Sequence, residues 1–223
     1  MKKTFLAIIA SIFIVSPALA GGKAIGISGS LYNIEADVTE TTTAGTVAGG
    51  SANTNKASVD HDLVPVVSIF AEYTLDFRGI TLGFDWTPGS ADVSKDFQTR
   101  TETPASGENE TTSTTYKANA EIENLMTAYI EIPLYQNFYV KGGYSQVDVN
   151  TEDSGVAAYG NASGVEGLTY GIGLRSGSDA GLNFKFAYEV MEFDTVSITN
   201  TNGNKVSGDI DTSGFKASLV YNF

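Results

Sequence analysis

The sequence contains no cysteine and a single histidine, and it is poor in basic residues. Without cysteine there are no disulfide bonds, so an exported chain of this kind depends on a large core or on a closed hydrogen-bond network. Thirteen Lys and Arg against 26 Asp and Glu give a net charge of −13, which argues against nucleic acid as a partner. Beyond residue 20, no apolar run approaches the roughly 20 residues of a membrane helix.

The first twenty residues have the order of a secretory signal peptide. Lys2 and Lys3 precede an apolar run over residues 5–15, and Ala18 to Ala20 supply small residues at a cleavage site. The run is too short to cross a bilayer as a helix. The sequence therefore predicts that residues 1–20 are cleaved and that residues 21–223 form one exported domain. With Lys2 and Lys3 removed, eleven basic residues face 26 acidic ones, a net charge of −15.

The mature part consists of segments in which apolar and polar residues alternate, which is the period of a β-strand. The 24 glycines, 11 tyrosines and 12 phenylalanines also favour strands and tight turns. Eight such segments are present, an even number: 24–35, 64–75, 80–87, 120–132, 138–149, 166–176, 182–194 and 212–223.

The connections between these segments alternate strictly between short and long. The short ones are 76–79, 133–137 and 177–181, and the long ones are rich in Thr, Ser, Gly, Asn and Glu. In an up-and-down arrangement all short turns and both termini then lie at one end. Turn signals near the centres of the long connections, such as Asn202-Gly203, predict hairpins that project beyond a membrane. The other centres are Gly49-Gly50, Ser106-Gly107 and Ala157.

The two faces of the predicted strands differ sharply. One face is apolar and uncharged, whereas the other carries charges of both signs among Gly, Ser, Thr and Asn. A soluble sandwich or a lipocalin-like barrel also alternates in this way, with the apolar face inside. The mixed charges, the segregated connections and the need to close the sheet in hydrocarbon favour the inverted arrangement, with charges in the lumen. The predicted lumen charges are Glu72, Asp85, Glu123, Glu131, Lys141, Arg175, Lys185, Glu189 and Lys216.

The last strand, with apolar residues at every second position up to a final aromatic, resembles that of small outer-membrane proteins of Gram-negative bacteria. These are the OmpA transmembrane-domain and OmpX-like group, porin-family β-barrel proteins. The resemblance covers residues 21–223 and implies an eight-stranded antiparallel up-and-down transmembrane β-barrel. It also implies a monomer in the cell outer membrane with periplasmic termini, in contact with outer-membrane lipid and lipopolysaccharide. The residues that the barrel-assembly machinery would read are Phe215, Leu219, Tyr221 and Phe223.

Three kinds of chemistry are open to such a chain. The lumen charges either plug the interior by pairing or line a narrow, porin-like ion path. His61, in Asp60-His61-Asp62, raises the alternative of an outer-leaflet lipid-modifying enzyme, because some small barrels use a rim histidine in this way. Neighbouring strand residues point to opposite faces, so the same triplet makes a poor metal clip. We therefore expect no enzyme activity, no cofactor and no metal.

The long connections are acidic, which suits a solvated outer surface. Their Thr-rich parts, 97–103 and 111–118, are predicted to form an exposed strand edge to which an extracellular protein partner adds a strand. The function expected from the sequence is thus a structural or surface-interaction role through the outer loops. The acidic residues are Asp92, Asp96, Glu102, Glu108, Glu110, Glu152, Asp153, Asp194, Asp209 and Asp211.

Overall fold

The computed structural model describes residues 22–41, 54–93, 98–102, 114–154, 159–176, 180–200 and 203–223, and for 98–102, 114–118 and 152–154 it describes the backbone alone. Ten strands lie in these ranges. Their bounds are β1 Gly22–Thr41, β2 Thr54–Thr74, β3 Thr81–Asp92, β4 Gln98–Glu102, β5 Thr114–Pro133, β6 Phe138–Ser154, β7 Ala162–Arg175, β8 Gly181–Phe193, β9 Val196–Thr199 and β10 Lys205–Asn222.

Eight long strands form a closed antiparallel ring. The order is β1-β2-β3-β5-β6-β7-β8-β10, and β10 pairs again with β1. The short strands β4 and β9 pair only within the long hairpins, with β5 and β10. The predicted eight-stranded up-and-down barrel is therefore confirmed. Within the described ranges, no helix has the length and apolarity needed to cross a membrane.

Closure depends on the pairing of the first strand with the last. Partners run from Ala24 with Asn222 to Thr41 with Lys205, and the Phe223 backbone N–H donates to the Lys23 carbonyl at 2.9 Å. The chain ends meet at the same end of the barrel as the short connections β2–β3, β5–β6 and β7–β8. Near the short-turn end the strand pairing runs all round the wall, which is the condition for strands to cross hydrocarbon.

Most strands extend further from the short-turn end than the eight alternating segments, as the prediction of continued hairpins requires. β1 continues to Thr41 and β2 already begins at Thr54, with these two residues paired. The predicted turn at 202–203 fits the structure, because Gly203 has a φ of +82° and its N–H donates to the Asn200 carbonyl at 3.0 Å. Asn202 and the turn centres at 49–50, 106–107 and 157 lie outside the described residues.

The barrel has two halves with opposite polarity, which β1 illustrates. From the short-turn end up to Leu31, Ile25 and Ile27 point outward and are about half exposed, whereas Ser28 and Ser30 point inward. Beyond Leu31 the same parity continues with the chemistry reversed, as Glu35 points outward and Ile34 is buried. We call the part up to Leu31 on β1 and Phe215 on β10 the lower half, and the part beyond it the upper half.

The upper half has a hydrophobic core of its own. On β10, Ile210 points inward and Asp209 and Asp211 point outward, whereas in the lower half Phe215 points outward and Lys216 inward. A soluble β-protein shows the same pattern as this upper half. The buried residues of this cluster are Tyr32, Ile34, Ala36, Val64, Val93, Ile122, Val147, Val149, Met191, Phe193, Val196, Ile198 and Ile210.

Candidate functional site

The lower lumen is filled by a network of ion pairs from seven strands. Glu72 on β2 and Glu131 on β5 both bind the Lys185 ammonium and the Arg175 guanidinium. Glu72 is 1% exposed and Glu131 3%, so these carboxylates are removed from water. Two carboxylates against two cations in one cluster satisfy the pairing that burial demands.

Two further pairs lie in the same lumen. The Lys141 ammonium donates to Glu189 Oε1 at 2.7 Å, and the Lys216 ammonium donates to Asp85 Oδ2 at 2.6 Å. With the central cluster, four carboxylates face four cations, so the charges of the network cancel. A mixed and balanced set of this kind satisfies the pairing that its burial demands, and a plugged interior and a narrow ion path both stay predictions.

Tyrosines complete the network. Tyr129 donates from its hydroxyl to Glu72 at 2.8 Å, and the Lys141 ammonium lies 4.1 Å from the centre of its ring. Room for the Tyr129 ring comes from Gly83 on the neighbouring strand, where an added Cβ would lie 2.2 Å from the ring. Glycine is therefore required at this lumen position because an aromatic ring occupies the space of its side chain.

Eight of the nine charged residues assigned to the lumen from the sequence lie there, and Glu123 is the exception. A β-bulge interrupts the pairing of β5 with β6 between Glu123 and Met126, and Asn124 in it has a φ of +53°. One extra residue shifts the parity, so that Ile122 points into the upper cluster and its neighbour Glu123 points away from it. Strict alternation along β5 was the wrong assumption for this residue.

The residues proposed as an assembly signal lie on the outer wall of the lower half. Phe215, Leu219, Tyr221 and Phe223 are 55%, 39%, 50% and 68% exposed. Phe215 stacks on Phe186 of β8 at 5.7 Å between ring centres. The four residues form an apolar, mainly aromatic surface on the closing strand. Their recognition by the assembly machinery stays a prediction.

His61 lies on the outer part of β2, where its Nδ1 hydrogen-bonds to the Asp92 carbonyl of β3 at 2.8 Å. Its neighbours Asp60 and Asp62 are exposed. Across the ranges that the structure describes, no three His, Cys, Asp or Glu residues could hold a metal ion together. The histidine thus bridges two strands.

The outer wall of the upper half carries acidic residues directly opposite one another. Asp211 on β10 pairs with Glu35 on one side and with Glu192 on the other, and Asp37 pairs with Asp209. Burial and the neighbouring carboxylates Glu192, Asp209 and Asp37 raise the pKa of Asp211. This part of the surface is a row of like charges in water.

The residues that the sequence reading missed are those of the upper hydrophobic cluster. The signal was present on β1, where Ile34 and Ala36 follow Ser28 and Ser30 at the same parity. This signal is easy to miss, because inward positions that change from polar to apolar residues look like the end of a strand. Among the predicted loop acids, Asp96, Glu108 and Glu110 lie outside the described residues.

Comparison with known proteins agrees with this architecture. A family model described as outer membrane protein beta-barrel domain matches residues 5–223. No match to the sequence was found among curated proteins. One similar solved structure is the outer membrane protease OmpT from Escherichia coli, with 10% identity, a TM-score of 0.50, and 94% of this chain and 99% of that chain covered.

Two further solved structures are also similar. The outer membrane protein OprG from Pseudomonas aeruginosa has 14% identity and a TM-score of 0.47, covering 92% of this chain and 97% of that one. Ail, the attachment invasion locus protein of Yersinia pestis, solved with the heparin analogue sucrose octasulfate, has 12% identity and a TM-score of 0.38. That match covers 88% of this chain and 98% of that one.

The protease corrects one prediction. The sequence reading expected no enzyme activity, and the similarity to OmpT contradicts that expectation, because a protein with this fold is a protease. At 10% identity the likeness concerns the fold alone, so it assigns no catalytic residue here. The barrel architecture does not exclude catalysis.

The family match covers nearly the whole chain, and the closed ring of strands, the apolar outer band and the charged lumen are those of an outer-membrane barrel. The chain therefore belongs to the outer membrane protein beta-barrel domain family, and it lies in the cell outer membrane.

Proposed function

We propose that the protein displays a rigid, acidic sheet above the outer membrane as a surface for contact with extracellular proteins. The observation that carries this proposal is the upper half. Its strands continue well beyond the apolar outer band, and they enclose a hydrophobic core that crossing the membrane does not require. A barrel whose only task is to span the bilayer needs strands of roughly 9–11 residues, whereas β1 has 20.

The orientation follows from the family arrangement of short periplasmic turns and long outer loops. In this proposal residues 1–20 are a cleaved signal peptide, residues 21–223 are the mature barrel, and both termini are periplasmic. The upper half then meets the environment as a monomer surrounded by outer-membrane lipid and lipopolysaccharide. The closing strand with Phe215 and Phe223 serves the barrel-assembly machinery.

Two features of the upper half suit protein binding. The outer wall is acidic, with Glu35, Asp37, Asp209 and Asp211 exposed or half-exposed, which favours basic partner surfaces. In addition, β4 pairs with β5 over residues 98–102 and 114–118, and among the described strands it has no neighbour on its other side. An unpaired edge can accept a strand from a partner.

The test removes the tip while leaving the barrel intact. Residues 104–110 are replaced by Asn-Gly, and adhesion of cells expressing the full chain to surfaces coated with extracellular-matrix protein is compared with that of the variant. Loss of adhesion in the variant supports the proposal. Equal adhesion, with equal amounts of heat-modifiable protein at the surface, contradicts it. Lys56→Met, an exposed change on β2, is the control and should adhere like the parent.

A further inference from the structure

The pairing of β2 with β3 stops halfway up the barrel. The last partners are Ile69 and Trp86, although β2 continues to Thr54 and β3 to Asp92. Both strands stay in the sheet beyond this point, because β2 still pairs with β1 and β3 still pairs with β5. Over residues 54–74 and 81–93, all described, the wall is thus split between β2 and β3 above Trp86.

The residues on the two sides of the split explain why the pairing ends. β2 has Pro65 and β3 has Pro88, and proline has no N–H to donate to a neighbouring strand. Continued register would put Pro88 opposite Val67 and Pro65 opposite Ser90. Gly89 has a φ of +103°, and β3 carries a bulge between Thr87 and Ser90 that bends it further.

The split is closed again at its top. His61 Nδ1 lies 2.8 Å from the Asp92 carbonyl, and since a carbonyl only accepts, the imidazole N–H donates. The split is therefore a window with Ile69 and Trp86 below and His61 and Asp92 above. We call it the β2/β3 window.

A cavity of about 50 Å³ lies directly behind the β2/β3 window. Both sides of the window line it, Val64 and Val66 from β2 and Thr87 and Ala91 from β3. The remaining lining is mainly apolar and belongs to the upper hydrophobic cluster: Ile122, Val147, Met191 and Phe193.

The outer surface beside the β2/β3 window is apolar. Val67 is 66% exposed and Leu63 64%, and Trp86 lies at the lower edge. These side chains continue the apolar outer band of the lower half, so the window opens toward hydrocarbon and the headgroup boundary above it. In that position the molecules in contact with it are membrane lipids.

We propose that the β2/β3 window admits a short segment of one acyl chain of an outer-leaflet lipid into the cavity of the upper half. The lining is apolar, so the free energy of removing a methylene group from water is similar in the cavity and in hydrocarbon. At about 50 Å³ the cavity is smaller than an apolar cavity of about 150 Å³ that binds benzene, so it suits a short linear segment of a chain rather than a ring. The rest of the lipid would remain outside the window, in the outer leaflet.

The experiment uses the unmodified protein in vesicles of phosphatidylcholine whose acyl chain ends in a photoactivatable diazirine. After illumination, labelled residues are identified by mass spectrometry. Label on the cavity residues Ile122, Val147 or Phe193, above the level at Phe70 in the lower lumen, supports the proposal. Phe70 is the matched position, because it is buried inside the wall but does not line the cavity.

A variant tests whether the acyl chain enters through the β2/β3 window. Val66→Phe adds volume at the window edge, where the residue is only partly buried, and it should abolish the inner label while the outward residues Leu63 and Val67 keep theirs. Resistance to cold SDS shows that the variant has folded. Label confined to outward residues in the parent protein, or inner label that survives in folded Val66→Phe, overturns the proposal. Should the variant fail to fold, the parent experiment alone decides.

Discussion

The lower and upper halves of the barrel use the same strands and the same alternation, with the polar and apolar sides exchanged. In the lower half, outward side chains such as Ile27 and Phe215 are apolar and the lumen holds a neutral ion-pair network. In the upper half, Asp209 and Asp211 point outward and Ile34 and Ile210 form a core. The polar and apolar sides change places because lipid surrounds the lower half and water surrounds the upper half. A change that is tolerated in one half should therefore be costly in the other.

The largest effect is expected from breaking the lumen network. Lys185→Met leaves Glu72 and Glu131 with Arg175 as their shared cation, and loss of one partner from a buried pair costs about 3–5 kcal/mol. Urea unfolding of the protein in vesicles measures the loss. Lys56→Met, the same substitution at an exposed upper position, should leave the midpoint unchanged. A similar midpoint for both variants would mean that the network contributes nothing to stability.

The outer wall gives the most direct comparison of the halves. Phe186→Lys puts a charge on the lipid-facing side of the lower half and should cost about 2–4 kcal/mol. Ser207→Lys puts the same residue on the outward side of β10 in the upper half, where the expected change is within about 0.5 kcal/mol. Both free-energy changes are measured by unfolding in vesicles. The yield of folded protein, which resists cold SDS and changes its gel mobility on heating, is compared as well. If Ser207→Lys is equally costly, the upper half is not in water.

The upper core should be separable from the lower half. Ile210→Ala removes a buried side chain from the upper cluster and should cost about 2 kcal/mol, the lower end for such a change, since a water-bounded core can relax. We expect faster proteolysis of the outer hairpins with unchanged resistance to cold SDS. Val220→Ala, buried in the lower half, is the control and should not affect cleavage of the hairpins.

The smallest effect concerns the opposed carboxylates. Asp211→Asn removes the repulsion from Glu35 and Glu192 and should stabilise the upper half by about 0.5 kcal/mol at neutral pH, a low value because the site is exposed. Because the pKa of Asp211 is raised in the folded protein, the native state holds its proton more tightly. Stability therefore falls as the pH rises through that pKa, and the gain from Asp211→Asn appears in the same interval.

Hydrogen exchange of β10 amides at neutral and acidic pH measures this effect. The difference between Asp211→Asn and the parent should disappear at acidic pH, where both carry a neutral side chain. Asp62→Asn removes an exposed carboxylate that has no strand partner and should change exchange at neither pH. A gain that persists at acidic pH would mean that the asparagine side chain itself stabilises the protein, and not the loss of the charge.

The sequence alone was sufficient for the strand count, the closed topology and the membrane-facing surface. Period-two alternation reports which residues share a face, and the uncharged face fixed the lipid side. It failed at Glu123, because the bulge at Asn124 shifts parity and nothing in the residue types marks it. The upper core was missed for a different reason. A pattern of alternation does not say which solvent surrounds each part of a strand.

The split between β2 and β3 could not be predicted either. Pro65 and Pro88 are visible in the sequence, but whether two prolines fall on the same side of the same pair depends on register. Register in long hairpins follows from bulges and turn geometry, which are properties of the folded chain.

The pairing of β1 with β10 has a consequence for biogenesis. β1 cannot close the ring until β10 has been translated, so a chain that lacks β10 cannot form the complete cylinder. Until that moment the edges of β1 are available to chaperones or to an incoming template strand. A chain that lacks β10 therefore leaves one edge of β1 unpaired and the ring open.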